Sequence, residues 1–579
     1  MSPKLSFTKN LFQRLKTVKT SFRGCLYGVR TEECLLVLGF VVSNTLDDGS
    51  FSGVDKAFTA VENNLPAGVD FCGYIVVGEV LEAGKSFEGN TDVSHCALLT
   101  CSTDMEQVAA GFLVKGVFRE FAYDTLEYGE VIERLYLVRT QYKANLMVEL
   151  TEDCVRAVFR DLRKKFSSGR LHFSARNSDI YVSSEVSRGE VSQGDVPNVE
   201  VIFAEINRNP EGSKAKGKKE TFSDYRVINI DVMVNKTELR DEFSNKRCVR
   251  VKFSNAQKYS IPLILEGMSL VPKETDTNEL YHVLVESLSR NLSLVEETLL
   301  ASLDRDEDFL SLRSYNVKMH DFGHSFLCVW PQKIDESKPV LKDRRRLFHK
   351  TFGLPLTRPY FRRKNVLPEA DGQVLMNTHL GLKSSPNQYL VQGTYGYYHY
   401  MQQNYNDSGW GCAYRSFQTI FSWFRYQGYT EKPIPTHYDI QEALVSMGDK
   451  PRAFLGSTQW IGSTEVSLCL EKFLNITSRI MFVQSGKDLG DKGAELAMHF
   501  ESQGTPIMIG GGVLAHTIIG VDYNRESGET RFLILDPHYT GAEDLHTIQQ
   551  KGFCNWKTVN FWDKKTFYNL CMPIRPIEF

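Results

Sequence analysis

The sequence predicts a mixed α/β (α+β) protein of more than one domain, and three observations carry that expectation. Apolar runs of strand length, at residues 34–42, 74–80, 135–140 and 201–206, alternate with polar stretches of helical pattern such as 151–166. No period of 20–50 residues repeats, which sets aside solenoids and propellers. The chain has 579 residues, 42% hydrophobic and 12% aromatic. That is ample apolar side chain to bury, but more length than one core organises, since domains run to about 100–200 residues.

Charge narrows the function classes. Lys and Arg number 68 against 71 Asp and Glu, a net charge of −3, so no nucleic-acid partner is expected. The apolar run at 34–42 is far shorter than the roughly 20 residues of a membrane-spanning helix, and MSPKLSFTKNLFQRLK lacks a signal-peptide core. Neither secretion nor a direct membrane span is expected. The 12 cysteines are scattered with no C-x-x-C pair, which suits a reducing, cytoplasmic setting where a thiol stays free.

Taken in order, the N-terminal part reads as mixed strands and helices until residues 207–221, which lose nearly all apolar side chains and gather Lys214, Lys216, Lys218 and Lys219. This is expected to be a solvated loop or a boundary. Patterned structure resumes at Tyr225. A second polar break at 331–350, followed by a Pro-punctuated segment, places the main boundary there, dividing a region 1–345 from a domain 353–579. His320 and His324 have the spacing of a zinc pair with Asp321 between them, but Gly323 weakens a helix and no third ligand is in view. A surface or turn pair is expected, and no metal.

The chemistry concentrates after Tyr395. Beyond Gly411 the pattern turns helical, with Phe417, Ile420, Phe421 and Phe424 on one face, and Cys412 falls in the first turn. Asn406, Asp407, Ser408 and Gly409 supply turn and capping chemistry upstream, so free N–H groups and the positive dipole end should face the thiol and favour thiolate. On position alone a nucleophile and an inert buried cysteine both fit.

A second constellation lies at 530–541, a strand ending abruptly at Asp536-Pro537-His538. Proline pushes Asp536 toward an extended conformation, so residues 536 and 538 project to one side as an acid–histidine pair. His538 could take the Cys412 proton while Asp536 holds the ring. A plain strand-ending turn also explains the motif. His516, in an apolar strand, is a rival base with Asp522 or another acid to orient it. Gly510 to Gly512 beside it lack a P-loop Lys-Ser/Thr and read as a place where another backbone comes close.

Together NDSGWGCAYRSFQT (406–419), YHYMQ (398–402) and DPHYTG (536–541), with GLPLTRPYFRR (353–363) and STQWIGSTEV (457–466), resemble the cysteine proteases specific for ubiquitin-fold modifier 1. The long N-terminal extension resembles that of the family's second protease type. The resemblance covers about 353–579 and implies a papain-like fold without cofactor, with Cys412, Asp536 and His538 catalytic and His538 preferred to His516 as base. It also implies that Tyr400 helps form the oxyanion hole, a choice among Tyr395, Tyr397, Tyr398 and Tyr400 that the residues alone leave open. The implied reaction is cleavage after the modifier's C-terminal glycine, maturing its precursor or releasing it from lysines of conjugated proteins. A glycine tail needs a narrow channel, for which Trp410 and Trp460 are candidate walls.

In the N-terminal region, LLVLGFVVSN (35–44) and LPAGVDFCGYIVVGE (65–79) resemble the MPN fold, but the H-x-H and downstream Asp of a zinc site are missing and His95 stands alone. A metal-free binding module follows. The family resemblance implies that it recruits partners and docks on a tail-anchored adaptor at the cytosolic face of the endoplasmic reticulum. Two other readings stand beside this one: an autophagin-like protease of lipidated autophagy modifiers, which is similar in its GWGC and DPH segments, and a scaffold that keeps the protease domain for binding.

Overall fold

The computed structural model describes residues 4–18, 20–31, 33–43, 53–78, 80–87, 96–184, 197–208, 224–234, 258–303, 310–319, 322–336, 338–355, 359–363, 374–383, 387–430 and 432–576. The chain divides into two compact units, Met1–Leu354 and Pro355–Phe579.

In the first unit an eight-stranded mixed sheet is centred on Asp70–Val77, Phe22–Arg30 and Cys34–Ser43. A five-stranded sheet follows, in which Leu135–Val148 pairs antiparallel with Tyr259–Pro272 and parallel with Arg226–Val234. The helices Glu152–Ser167 and Thr277–Leu300 accompany it. The run at 201–206, expected as a strand, lies instead in the helix Val199–Arg208. Val199 and Ile202 are buried three residues apart, and Asn198 Oδ1 accepts the Val201 N–H at 2.9 Å. A six-residue apolar run does not by itself separate the two periods.

The polar break at 331–350 is also structured. Pro339 opens the helix Pro339–Thr351, where its missing N–H costs nothing. Arg345 is buried and donates to Glu336 through both the side chain and the carbonyl, each at 2.7 Å. The first unit thus runs on to Leu354. His324 is a core residue with Nε2 3.1 Å from the Tyr27 hydroxyl, and burial pushes its pKa down to about 4. His320, Asp321 and the lysine cluster at 214–219 lie outside the described residues.

The second unit is built on an antiparallel sheet in the order Ser478–Val483, Tyr568–Pro573, Ile507–Gly511, Leu514–Tyr523, Thr530–Leu535 and Cys554–Thr558. Alternation along its central strands divides two cores. Leu533, Leu535 and Ile519 pack with the helices Cys412–Tyr426 and Ser463–Leu474. Phe532, Ile534 and Ile518 pack with the helix Gly493–Ser502 on the other face. Both faces being covered, these strands read as continuous apolar runs. At Gly511 a Cβ would lie 2.5 Å from the carbonyl oxygen of Phe567, the close backbone approach expected there.

The helix Cys412–Tyr426 is buried on every side except at Arg425, where the sequence suggested a single apolar face. Truncating Phe421, fully buried at its centre, is expected to cost about 3–5 kcal/mol. Denaturant unfolding of the full chain should show the Phe421→Ala loss in the transition of the second unit, with the first unit's transition unmoved.

Candidate active site

A helix buried on all sides must find partners for its polar side chains. Here they bind the strand-like segment running up to Tyr400. Trp423 Nε1 donates to the Gln392 carbonyl at 2.9 Å, and Gln427 Nε2 to that of Thr394 at 2.7 Å. Ser422 Oγ accepts the Gly396 N–H at 2.9 Å, and Thr419 Oγ1 that of Tyr398 at 3.1 Å. The helix that begins at Cys412 thereby aligns the chain that ends at Tyr400.

The strand register supplies the other half. Leu535 pairs with Thr517, so Asp536 emerges beside His516, whose Nε2 lies 3.9 Å from Asp536 Oδ1. The proline-locked turn then brings His538 back onto the carboxylate: both its backbone N–H, at 3.0 Å, and its Nδ1, at 2.5 Å, meet Asp536 Oδ1. Tyr400 N–H donates to the Pro537 carbonyl at 2.9 Å and Tyr397 hydroxyl to the Asp536 carbonyl. The Tyr400 ring meets the His538 ring edge-on at 5.3 Å between centroids. Cys412, Tyr400, His538 and Asp536 therefore converge.

The four tyrosines separate by direction. Tyr395 hydroxyl is 2.9 Å from His379 Nδ1 and Tyr397 supports the Asp536 backbone, while Tyr398 is buried. The Tyr400 hydroxyl interacts with the Cys412 thiol. Trp410 is buried against Tyr414 and His437. Trp460 is 53% exposed, and its Nε1 donates to the Gly409 carbonyl at 3.3 Å.

The electrostatics of the convergence are opposed. Burial alone would push the Cys412 thiol up, but the hydrogen bond and charge of His538, with smaller help from the Ala515 amide and the Tyr400 hydroxyl, bring it below its ordinary value. Burial also works against the imidazolium of His538, yet Asp536 and Cys412 raise its pKa to about 9. The two shifts favour a thiolate–imidazolium pair. Asp536, although half-buried, is held below the usual carboxylate range by His538 and His516. Burial and the neighbouring thiol push Tyr400 upward, so its phenol keeps the proton it would donate. His516 is driven down to about 4 by burial and stands against Asp536 as a neutral ring.

Compared with known proteins, the chain is 40% identical to the probable Ufm1-specific protease 2 of Drosophila pseudoobscura pseudoobscura over the full length of both. The chain belongs to the Ufm1-specific protease 2 family. Human Ufm1-specific protease 2 is 40% identical across 72% of this chain and 92% of its own. Residues 386–571 match the family model described as peptidase family C78. Residues 1–131 match the insect UFM1-specific protease N-terminal MPN-like domain, and 156–371 the N-terminal part of ubiquitin-fold modifier 1 specific protease 2. The crystal structure of UfSP from C. elegans superposes with a TM-score of 0.58 at 25% identity, covering both chains fully. As a member of the Ufm1-specific protease 2 family, the protein is a cysteine protease with an MPN-like N-terminal region.

Among the described residues, one group of ligating side chains lies close enough to hold a metal ion, His516, Asp536 and His538. Its members are already paired with one another as above. His95 lies outside the described residues. The roles of two partners of the site escaped the sequence reading. Asp407 does not cap the helix, whose N-cap is Gly411 without a side-chain bond. Its carbonyl instead accepts the N–H groups of Trp410 and Gly411, at 3.2 and 2.9 Å. The buried His399 places Nε2 2.8 Å from Glu543 Oε1, with Nδ1 3.0 Å from the Tyr539 carbonyl. It thus joins the segment before Tyr400 to the loop after His538.

The shifts set the sign of the pH response. His538, raised, keeps its proton until the pH passes about 9, and Cys412, lowered, loses its thiolate as the pH falls through its depressed value. The kcat/KM profile is expected to be bell-shaped with an alkaline limb near pH 9. The pH midpoint for iodoacetamide alkylation of Cys412 should rise in His538→Ala, because burial is then opposed only by the smaller effects of the Ala515 amide and the Tyr400 hydroxyl.

Proposed function

We propose that the protein cleaves after the C-terminal glycine of Ufm1, maturing its precursor and releasing it from lysines of conjugated proteins. The observation that carries this is the Cys412 thiol held against an imidazole whose Nδ1 is bound by Asp536. The substrate follows from the names of the full-length relatives. Cys412 Sγ attacks the glycine carbonyl, and the oxyanion accepts hydrogen bonds from the Cys412 amide at the helix start and from Tyr400. His538 passes its proton to the departing amine as the C–N bond breaks, leaving a thioester. Water then attacks, His538 takes its proton, and thiolate and free carboxylate are regenerated. Asp536 keeps the ring oriented throughout. Trp460, exposed beside Gly409, walls the glycine channel, and Trp410 acts through its packing on Tyr414 and His437.

The MPN-like region serves as a docking module that binds a tail-anchored adaptor and brings the enzyme to the cytosolic face of the endoplasmic reticulum. In support, no helix among the described residues is long and apolar enough to cross a membrane. Flotation of the full chain with microsomes should then depend on a protease-sensitive membrane protein; flotation with protein-free liposomes would oppose the docking role.

Incubation with Ufm1 carrying a C-terminal propargylamide, beside ubiquitin and an autophagy modifier carrying the same group, is expected to yield one adduct on Cys412 with the first alone. An adduct with the autophagy modifier alone would favour the autophagin-like reading, and no adduct would favour a scaffold. Cys412→Ser and His538→Ala should each lower turnover by roughly 10³-fold or more with modifier binding retained. Tyr400→Phe should lower kcat by about 10²–10³-fold.

A further inference from the structure

A buried ion pair that the chemistry above does not use ties the loop between Tyr400 and Cys412 to the nucleophile helix. Asp407 and Arg415 are 0% and 1% exposed. Asp407 Oδ1 accepts the N–H of Met401, the residue after Tyr400, at 2.8 Å. Its Oδ2 accepts from Arg415 Nε at 2.5 Å and lies 3.0 Å from His437 Nε2. Arg415 belongs to the first turn of the nucleophile helix, and from there it reaches back over the same loop. One terminal nitrogen donates to Gln403 Oε1 at 2.6 Å and the other to the Gln402 carbonyl at 3.0 Å.

The loop they grip is strained. Met401, Gln403 and Asn404 have φ of 65°, 54° and 55°, three side-chain-bearing residues in the left-handed region within four positions. Such a conformation persists only where its surroundings over-determine it. Gly411 completes the arrangement. Its φ is −87°, so freedom of the backbone is not the reason for glycine there. A Cβ on it would lie 2.7 Å from both Cβ and Oδ2 of Asp407. The residue before the nucleophile is small so that Asp407 can sit against it.

We propose that Asp407, acting with Arg415, is a positioning residue that sets the Tyr400 hydroxyl relative to Cys412. The hydrogen bonds and ion contacts of the pair go to the 401–411 turn, to Gln418 in the nucleophile helix and to His437 at the start of the next helix, and not to Asp536 or His538. Loosening it therefore disturbs the oxyanion donor directly and touches the thiolate–imidazolium pair only through the smaller contribution of Tyr400, leaving that of His538 in place. This rests on Tyr400 being that donor.

The test is a double-mutant cycle on the full chain with a fluorogenic C-terminal Ufm1 substrate. Asp407→Asn keeps the acceptor for Met401 but turns an amide toward Arg415. It is expected to lower kcat by about 10²-fold with KM within about threefold. The alkylation rate of Cys412 should stay within about threefold of wild type, since His538 is untouched. In a Tyr400→Phe background, Asp407→Asn should add little further loss, because the group it positions is already gone. Equal proportional losses in both backgrounds would overturn the proposal, as would an alkylation rate falling in step with kcat. Should Asp407→Asn fail to show a native near-UV spectrum, Arg415→Lys, which keeps the charge but not the fork, is read in the same cycle by the same criteria. If Tyr400→Phe itself leaves kcat unchanged, the oxyanion assignment fails and this inference with it. If Tyr400→Phe lowers kcat and the Asp407 loss is additive, only the positioning role fails.

Discussion

Complete burial of the helix Cys412–Tyr426 is the constraint on which the second unit depends. An amphipathic surface helix leaves its polar face to water. This one has no water to turn to, so Thr419, Ser422, Trp423 and Gln427 bind the backbone of residues 392–398 instead. Satisfying the helix and guiding the chain to Tyr400 are the same set of hydrogen bonds. Folding and site assembly are therefore not separable steps here. The groups that would be unsatisfied in a disordered site are groups that the core itself requires to be paired.

The charges are arranged by a similar economy. Burial opposes ionisation of Cys412, of His538 and of Asp536 alike, and in each case the neighbours turn the balance back toward the charged form. Asp536 takes both the backbone and the ring of His538 through one turn, so proline places the hydrogen-bond donors and the carboxylate together with little conformational freedom left to lose. His516, buried and neutral, adds a packed ring behind the carboxylate without competing for the thiol's proton.

What could be read in the sequence was local. The helix start at Cys412 and the Asp-Pro-His turn are short patterns whose meaning is set within a few residues, and the structure brings both to one place. The strands at 34–42 and 135–140 were legible because their apolar runs are long or β-branched. The helix Val199–Arg208 was not, since six apolar-rich residues satisfy either period. Helical periodicity found Phe417, Ile420, Phe421 and Phe424, but not that the opposite face is also covered. That depends on the segment 392–398 lying across it. The tyrosines could not be told apart because the direction of each is set by tertiary partners. Asp407 looked like a helix cap, and only its bond from Met401, back along the loop, and its ion pair with Arg415 reveal otherwise.

The sulfurs of the chain can be ranked by how much thiolate each offers. Among the described residues, burial drives Cys72 upward and drives Cys96, Cys328, Cys554 and Cys571 up to about 12. A thiol at that value is ionised in roughly one molecule in 10⁵ at neutral pH. Cys412, also buried, is displaced the other way. Among these buried sulfurs, the apolar surroundings that passivate the others leave the charge-paired one as the point where electrophiles react. Chemoselectivity among the buried thiols is thus a property of the fold, written as much in the silence of the enclosed cysteines as in the activation of one.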